Sequence, residues 1–294
     1  MQNVFETTHT DYLVPFDGSF SVAKSPTHPS IPEKWRMTKR LETAIEQLDD
    51  LQRVLWASDS HALLIIFQGM DSCGKDSTIR AVMRGINPAG CQVFNFKQPS
   101  KMDLDHDFLW RTSRCLPERG RIGIFNRSQY EEVLVVRVHP ELLKSQKLPR
   151  KIDLDAIWDE RLESIHDQEK HLARNGTVIL KFWLNVSPGE QKKRLLARLN
   201  DPGKHWKFDS GDIAERTHWH DYMQAYEATL NATSRPWAPW YAIPADSKPY
   251  MRARVAEVIV DALSGLGMAY PQPSTEEMER FKEARIHLAG PDGE

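Results

Sequence analysis

The stretch "LLIIFQGMDSCGKDSTIRAV", residues 63–82, decides the fold. It begins as part of an unbroken apolar run (62–68), the pattern of a parallel strand covered on both faces. It then turns through Gly69-Met70-Asp71-Ser72-Cys73-Gly74-Lys75, the G-x-x-x-x-G-K spacing of a phosphate-binding loop, and continues as a helix. In that setting backbone N–H groups and a helix N-terminus face an anion, and Lys75 adds a point charge. An ordinary tight turn with glycines is the bland alternative. Two carboxylates complicate the loop. Asp76 stands where such loops carry the Ser or Thr that helps hold Mg²⁺. Asp71, inside the loop, would repel a bare phosphate; it becomes useful by holding a divalent cation or orienting an acceptor oxygen. Asp76 either joins that site or only favours the helix dipole, and the sequence leaves both readings open.

Working outward, apolar runs alternate with helical patterns. Leu41, Ile45, Leu48, Leu51 and Leu55 predict an amphipathic helix over 33–57. "CQVFNF" (91–96), "RIGIFN" (121–126), "TVILKFWLNV" (177–186) and "WYAIPA" (240–245) predict further strands. Helices are expected over 103–116, through "SQYEEVLVVRVH", near 153–174, after "SPGE" with Ser187 as cap, and near 249–265. Strands separated by helices imply right-handed crossovers, hence an α/β fold with a parallel sheet between two helical layers. The expected organisation is an N-terminal arm (1–33), a phosphate-loop domain (34–268) with a lid at about 187–220, and a C-terminal helix and tail (269–294).

Two more segments bear on the site. "GRIGIFNRSQYEEV" puts Asn126 and Arg127 at the carboxyl end of a strand, where open α/β sheets bind ligands. Many phosphate-loop proteins carry Asp at the first position to organise Mg²⁺; Asn126 keeps the oxygen without the charge. The planar fork of Arg127 suits a phosphoryl group changing hands, the bland reading being a surface pair with Glu131 or Glu132. The second segment, residues 190–207, carries Lys192, Lys193, Arg194, Arg198, Lys204 and Lys207 against Glu190 and Asp201. Such density is commonly a solvated face; beside a phosphate loop it reads as a lid closing on a polyanion and excluding water. His218 and His220 are two apart, on different faces of a helix, so a zinc site is rejected. Trp237 and Trp240 read as hydrophobic anchors rather than base-stacking rings.

Composition narrows the classes. The chain has 294 residues, 40% of them hydrophobic, enough for one sizeable core with extensions or two small domains. A net charge of -2 makes no global case for nucleic-acid binding, so any polyanion site is a local basic patch. Cys73, Cys91 and Cys115 have no paired spacing, as in a reducing cytosol. The start of the chain has no signal-peptide pattern, and no apolar stretch reaches the roughly 20 residues that span a bilayer. A cytoplasmic protein with no membrane partner is expected.

Residues 69–100, "GMDSCGKDSTIRAVMRGINPAGCQVFNFKQPS", together with "GRIGIFNRSQYEEVLVVRVHPE", closely resemble the polyphosphate kinase 2 family, and "DPGKHWKF" and "WYAIPADSK" look like further family signatures. The resemblance runs from about residue 10 to 265. It implies a thymidylate-kinase-like phosphate-loop fold with a helical lid. It also implies reversible, Mg²⁺-dependent transfer of a phosphoryl group (Mn²⁺ as the alternative metal) from inorganic polyphosphate to ADP, AMP or both. Adenine nucleotides are the implied acceptors, with guanine nucleotides left open, and a homodimer or homotetramer is implied. Asp71, Lys75 and Arg127 fall on the family's catalytic positions, and Asp71 and Asn126 on its metal-organising ones. Gly69, Ser72, Cys73, Gly74 and Asp76 form the cradle, and Lys97, Arg137, Arg194, Arg198, Lys204 and Lys207 are expected along the phosphate path. The sequence departs from the family at Asn126, where many members carry Asp, and at Ser72-Cys73, where a pair such as Ala-Ala is commoner. Tyr130–Glu132 is similar to members that accept AMP as well as ADP. Two other readings stay open: an ATP-dependent nucleoside monophosphate kinase and a non-catalytic nucleotide-binding module.

Overall fold

The apolar run that opens the decisive stretch forms β1 (Ala62–Gln68), buried at every position because it has a strand on each side and helices on both faces. In this computed structural model, which describes residues 7–29, 34–149 and 151–290, five parallel strands stand in the order β2–β3–β1–β4–β5. The others are β2 (Cys91–Asn95), β3 (Ile122–Asn126), β4 (Thr177–Asn185) and β5 (Trp240–Pro244). β1 therefore lies at the switch point, with β3 on one side and β4 on the other, and the crevice beyond their carboxyl ends is where such sheets bind ligands.

One helical layer holds α1 (Lys34–Ser58), α2 (Lys75–Val82) and α10 (Lys248–Ser264); α6 (Ile157–Arg174) packs on β4 and on α9 (Trp219–Thr233). The N-terminal arm lies along β5: Val14 N–H donates to the Trp240 carbonyl (2.9 Å) and Ala242 N–H to that of Tyr12 (2.8 Å). This covers an edge that would otherwise offer unpaired backbone groups. Residues 1–6 and 30–33 of the expected arm, and 291–294 of the expected tail, lie outside the described residues.

Two expected helices are broken. In place of a helix over 103–116 stand α3 (Lys101–Leu104) and α4 (Trp110–Ser113). Asp107 separates them, its carboxylate accepting from the Leu109 N–H (2.9 Å) in a local turn that competes with a continuous helix. The helix expected through "SQYEEVLVVRVH" is a 3-10 segment, Gln129–Val133, followed by α5 (Val135–Val138). Arg127, at φ +63, swings the chain out of β3 too sharply for an α-helix to follow directly. The lid region consists of α7 (Pro188–Leu199), a 3-10 segment Pro202–Lys207 and α8 (Gly211–Glu215). Beyond the core, α11 (Thr275–Ala289) is exposed along its whole length. Among the described residues no helix is long and apolar enough to cross a membrane.

Candidate active site

The loop after β1 is built on left-handed backbone: Gly69 at φ +147, Ser72 at +59 and Gly74 at +116. Glycine is required at 69 on a second ground, since a Cβ there would lie 2.9 Å from both Cys73 Sγ and the Leu184 carbonyl oxygen. Gly74 caps α2, and Cys73 is fully buried beneath the loop. Lys75 is buried and folds back, its ammonium donating to the carbonyls of Gly69 (2.5 Å) and Met70 (3.4 Å).

Strand register brings the second element to the loop. Phe67 of β1 pairs with Asn126 of β3, and Arg127 N–H donates to the Phe67 carbonyl (3.0 Å). The Arg127 guanidinium pairs with Asp71 of the loop and with Glu131 (3.2 Å). The carboxylates of Glu131 and Asp71 outweigh burial and hold Arg127 firmly protonated. Asn126 donates its amide to Asp76 (2.5 Å) and to Asn95 (2.6 Å). The side chain of Asp76 thus faces the end of β3, inside the site.

The lid meets the loop through one face of α7. Gln191 donates to the Asp71 carbonyl (2.8 Å). Arg194 reaches the Cys73 carbonyl (2.6 Å) and the Ala245 carbonyl (2.6 Å), and its Nε donates to Glu190 (2.9 Å). Arg198 donates to Ser72 Oγ (2.8 Å) and pairs with Asp212 of α8 (2.9 Å). Arg194, expected to face phosphate, therefore braces the loop from below, and Arg198 holds its rim. Lys204 is exposed and pairs with Asp201 (2.5 Å). Lys207 ends the same 3-10 segment, its side chain outside the described residues. Lys97 is exposed two residues beyond β2, its carbonyl accepting from Arg111 (2.6 Å). Arg137 sits on α5, where burial pushes its guanidinium down and Asp159 of α6 pulls it back up.

Several contributors were not singled out by the sequence reading. Asp212 has its carboxyl raised first by burial and next by the charge of Asp71, so it stands within electrostatic reach of the loop. Tyr226 of α9 is fully buried beside Glu131, Cys73 and Asp71. Gln191, Arg194 and Arg198 follow the i, i+3, i+7 spacing of one helical face, a signal present in the sequence.

Two recesses among the described residues lie near these elements, one against the turn after β3 and one against α7. One, of about 300 Å³, lies beside Gln129 and Glu132 and is walled by Phe108, Arg111, Gln146 and Arg161. There Glu132 accepts from Gln146 (2.9 Å) and pairs with Arg161 (3.3 Å), and burial pushes its carboxyl up against the pull of Arg161. The other, about 650 Å³ and more open, runs between α7 and the β5–α10 turn. Lys34, Lys193, Arg194 and Lys248 line it. Burial pushes the Lys248 ammonium down, and Arg194 and Arg252 push it further; Arg252 is pushed down by burial, then by Arg80 and Arg194. Crowded cations of this kind are a standing field for a polyanion.

Comparison with known proteins decides the family. The Polyphosphate kinase 2 family model matches residues 33–269. The chain belongs to the polyphosphate kinase 2 family. As a family member it is a phosphotransferase enzyme. It is 50% identical over 261 residues to an ADP-polyphosphate phosphotransferase of Rhodopseudomonas palustris, covering 88% of this chain and 90% of that protein. It is 41% identical over 267 residues to an AMP/ADP-polyphosphate phosphotransferase of Meiothermus ruber, covering 90% and 96%. The crystal structure of Polyphosphate Kinase 2 from Arthrobacter aurescens TC1 superposes with a TM-score of 0.83 at 38% identity, covering 91% of this chain and 94% of that one.

Proposed function

We propose that this chain transfers a phosphoryl group from inorganic polyphosphate to ADP and AMP with a Mg²⁺ ion, reversibly. The observation that carries the choice of donor is the groove between α7 and the β5–α10 turn. It is linked to the phosphate loop through Arg194, which donates to the Cys73 carbonyl (2.6 Å), so the tail of a donor would lie along it. It presents Lys34, Lys193 and Lys248 beside Glu190 and Asp246, with Arg194 turned to backbone carbonyls, and none of its described lining residues is aromatic. A nucleotide donor needs a surface for its base, whereas a phosphate chain needs cations along its length. Asp76 in place of the metal-binding hydroxyl further separates the loop from the usual ATP pose.

Acceptor nucleotide is assigned to the smaller recess, with Arg111 and Arg161 at its wall and Gln129 and Glu132 joining it to the turn that carries Arg127. The residues suit an oxygen-bound divalent cation. Asn126 Oδ1 is buried without a hydrogen-bond partner, its amide nitrogen donates to Asp76, and Asp71 stands across the loop beside Arg127. No group of three or more His, Cys, Asp or Glu forms a metal cage among the described residues, in keeping with an ion held partly by substrate phosphates. Asp71, Asp76 and Asn126 would hold Mg²⁺, or Mn²⁺ in its place, and the ion would neutralise charge on the bridging and transferring oxygens.

The protein's own part is positioning and electrostatics. The loop N–H groups cradle the donor's terminal phosphate, and Lys75 turns from the Gly69 carbonyl to a phosphate oxygen. Arg127, exchanging Asp71 for phosphoryl oxygens, stabilises charge spread over the equatorial positions. Asp71, released, orients the attacking acceptor phosphate. The lid keeps water from competing as acceptor. The test is turnover with Mg²⁺, polyphosphate and ADP or AMP, against ATP with AMP. ATP from ADP, and ADP from AMP, at the expense of polyphosphate is expected. Turnover from ATP alone would make the chain a nucleoside monophosphate kinase, and nucleotide binding without turnover a sensor.

A further inference from the structure

Behind the Arg127 turn lies a set of charged side chains that touch neither recess. Lys181 stands in mid-β4, wholly buried. Its ammonium donates to the Tyr130 hydroxyl (2.9 Å), Glu169 Oε2 (2.5 Å) and the Thr233 carbonyl (2.8 Å), which uses all its protons. The Tyr130 hydroxyl donates in turn to Glu169 Oε1 (2.7 Å). The rings of Tyr130 and Trp240 pack edge to face at 4.9 Å, with the Lys181 ammonium near both. The cluster is saturated and has no room for a ligand.

Its stability value is poor, since a buried ion pair recovers in Coulomb energy about what it loses in desolvation, and apolar replacements of similar volume are often as stable. Its geometric role is plainer. Tyr130 is part of the turn that carries Arg127, Glu131 and Glu132. Arg127 sits at φ +63, a backbone state that lasts only where its surroundings over-determine it. The near end of the turn is fixed by Arg127 N–H on the Phe67 carbonyl, and its middle by Tyr130 N–H on Ser128 Oγ (3.2 Å). The far end is gripped by α6, through Glu169 on Tyr130 and Arg161 on Glu132.

Resting on the polyphosphate-to-nucleotide reading, we infer that Tyr130, Glu169 and Lys181 are positioning residues that hold the Arg127 turn in register for phosphoryl transfer. They set where Arg127 and Glu131 stand, and so act on the transfer step rather than on substrate affinity. The test is the triple variant Tyr130→Phe, Glu169→Leu, Lys181→Met, which removes every polar side-chain atom of the cluster at similar volume. A Tm at or near that of the wild type is expected, with kcat about tenfold lower and both KM values within about twofold. Hydrogen exchange at the amides of 128–133 should quicken. A folded triple variant with wild-type kcat and wild-type exchange in that segment overturns the inference, as does a kcat loss with exchange unchanged. If the triple variant does not fold, Tyr130→Phe alone, which keeps the Lys181–Glu169 pair, is read the same way. A wild type inert toward polyphosphate would sink the donor reading; the exchange measurement, which needs no turnover, would still show whether the three residues hold the turn, and kcat would then be read with the donor that does turn over.

Discussion

The two recesses are built on opposite plans. The larger is open and its cations outnumber the carboxylates of Glu190 and Asp246: Lys193 is largely exposed with Glu190 at 3.7 Å, and Lys248 is pushed down by burial and by its arginine neighbours. The smaller is less open, and several of its charges are already matched, with Glu132 between Gln146 and Arg161 and the exposed Lys147 paired to Asp105. A groove in which cations outnumber carboxylates recognises an anion of sufficient length and is indifferent to its detail. A site of matched, buried partners rejects whatever cannot replace them, so it can tell one nucleotide from another. On the proposed assignment of donor and acceptor, the contrast gives tolerance to the donor side and selectivity to the acceptor side.

The largest effects should come from the phosphate loop and the Asn126–Arg127 turn, which on the proposed reading serve both recesses. Lys75→Ala and Arg127→Ala are expected to lower kcat about 10³-fold while circular dichroism and Tm stay close to wild type; a rate near wild type in either would remove that residue from the chemistry. Next, Arg111→Ala should raise KM for ADP about tenfold and leave KM for polyphosphate unchanged, a shift of about 1.4 kcal/mol on the acceptor side alone. A rise in both KM values would dissolve the division between the recesses. Lys193→Ala with Lys248→Ala should weaken polyphosphate binding several-fold and flatten its salt dependence by roughly one unit of log–log slope per charge removed. It should act more on long chains than on tripolyphosphate, and an equal effect on both would place the donor tail elsewhere. Smallest of all, deleting α11 should leave kcat within about twofold and Tm nearly unchanged, because nothing on that helix is buried.

Much of this plan was legible from local pattern. β1, β3 and β5 announce themselves as largely apolar runs because they are buried at every position; β2 is a partly exposed edge strand, and β4 carries the buried Lys181 among its apolar residues. The phosphate loop announces itself because its glycines answer to backbone geometry at 69 and 74. What the sequence hides is contact over distance. Tyr130 meets Glu169 and Lys181, 39 and 51 residues away, and no spacing rule anticipates that triad or the 3-10 turn it secures. Arg194 was expected to face phosphate, and only the fold shows its donors directed to loop carbonyls. Asp76, ambiguous in sequence, is drawn into the site by Asn126 on a strand whose position beside β1 depends on a crossover.

The folded-back Lys75 has a consequence for the resting enzyme. With its ammonium on the Gly69 carbonyl, the loop is its own counterpart, a clasp closed upon itself. On the proposed reading, a lone orthophosphate would have to open that clasp with few other contacts to help, whereas a chain held along the lysine-lined groove would arrive already tethered. Selection by length would thus begin before any bond is broken, and cellular phosphate would be a poor competitor for a site shaped to hold phosphate.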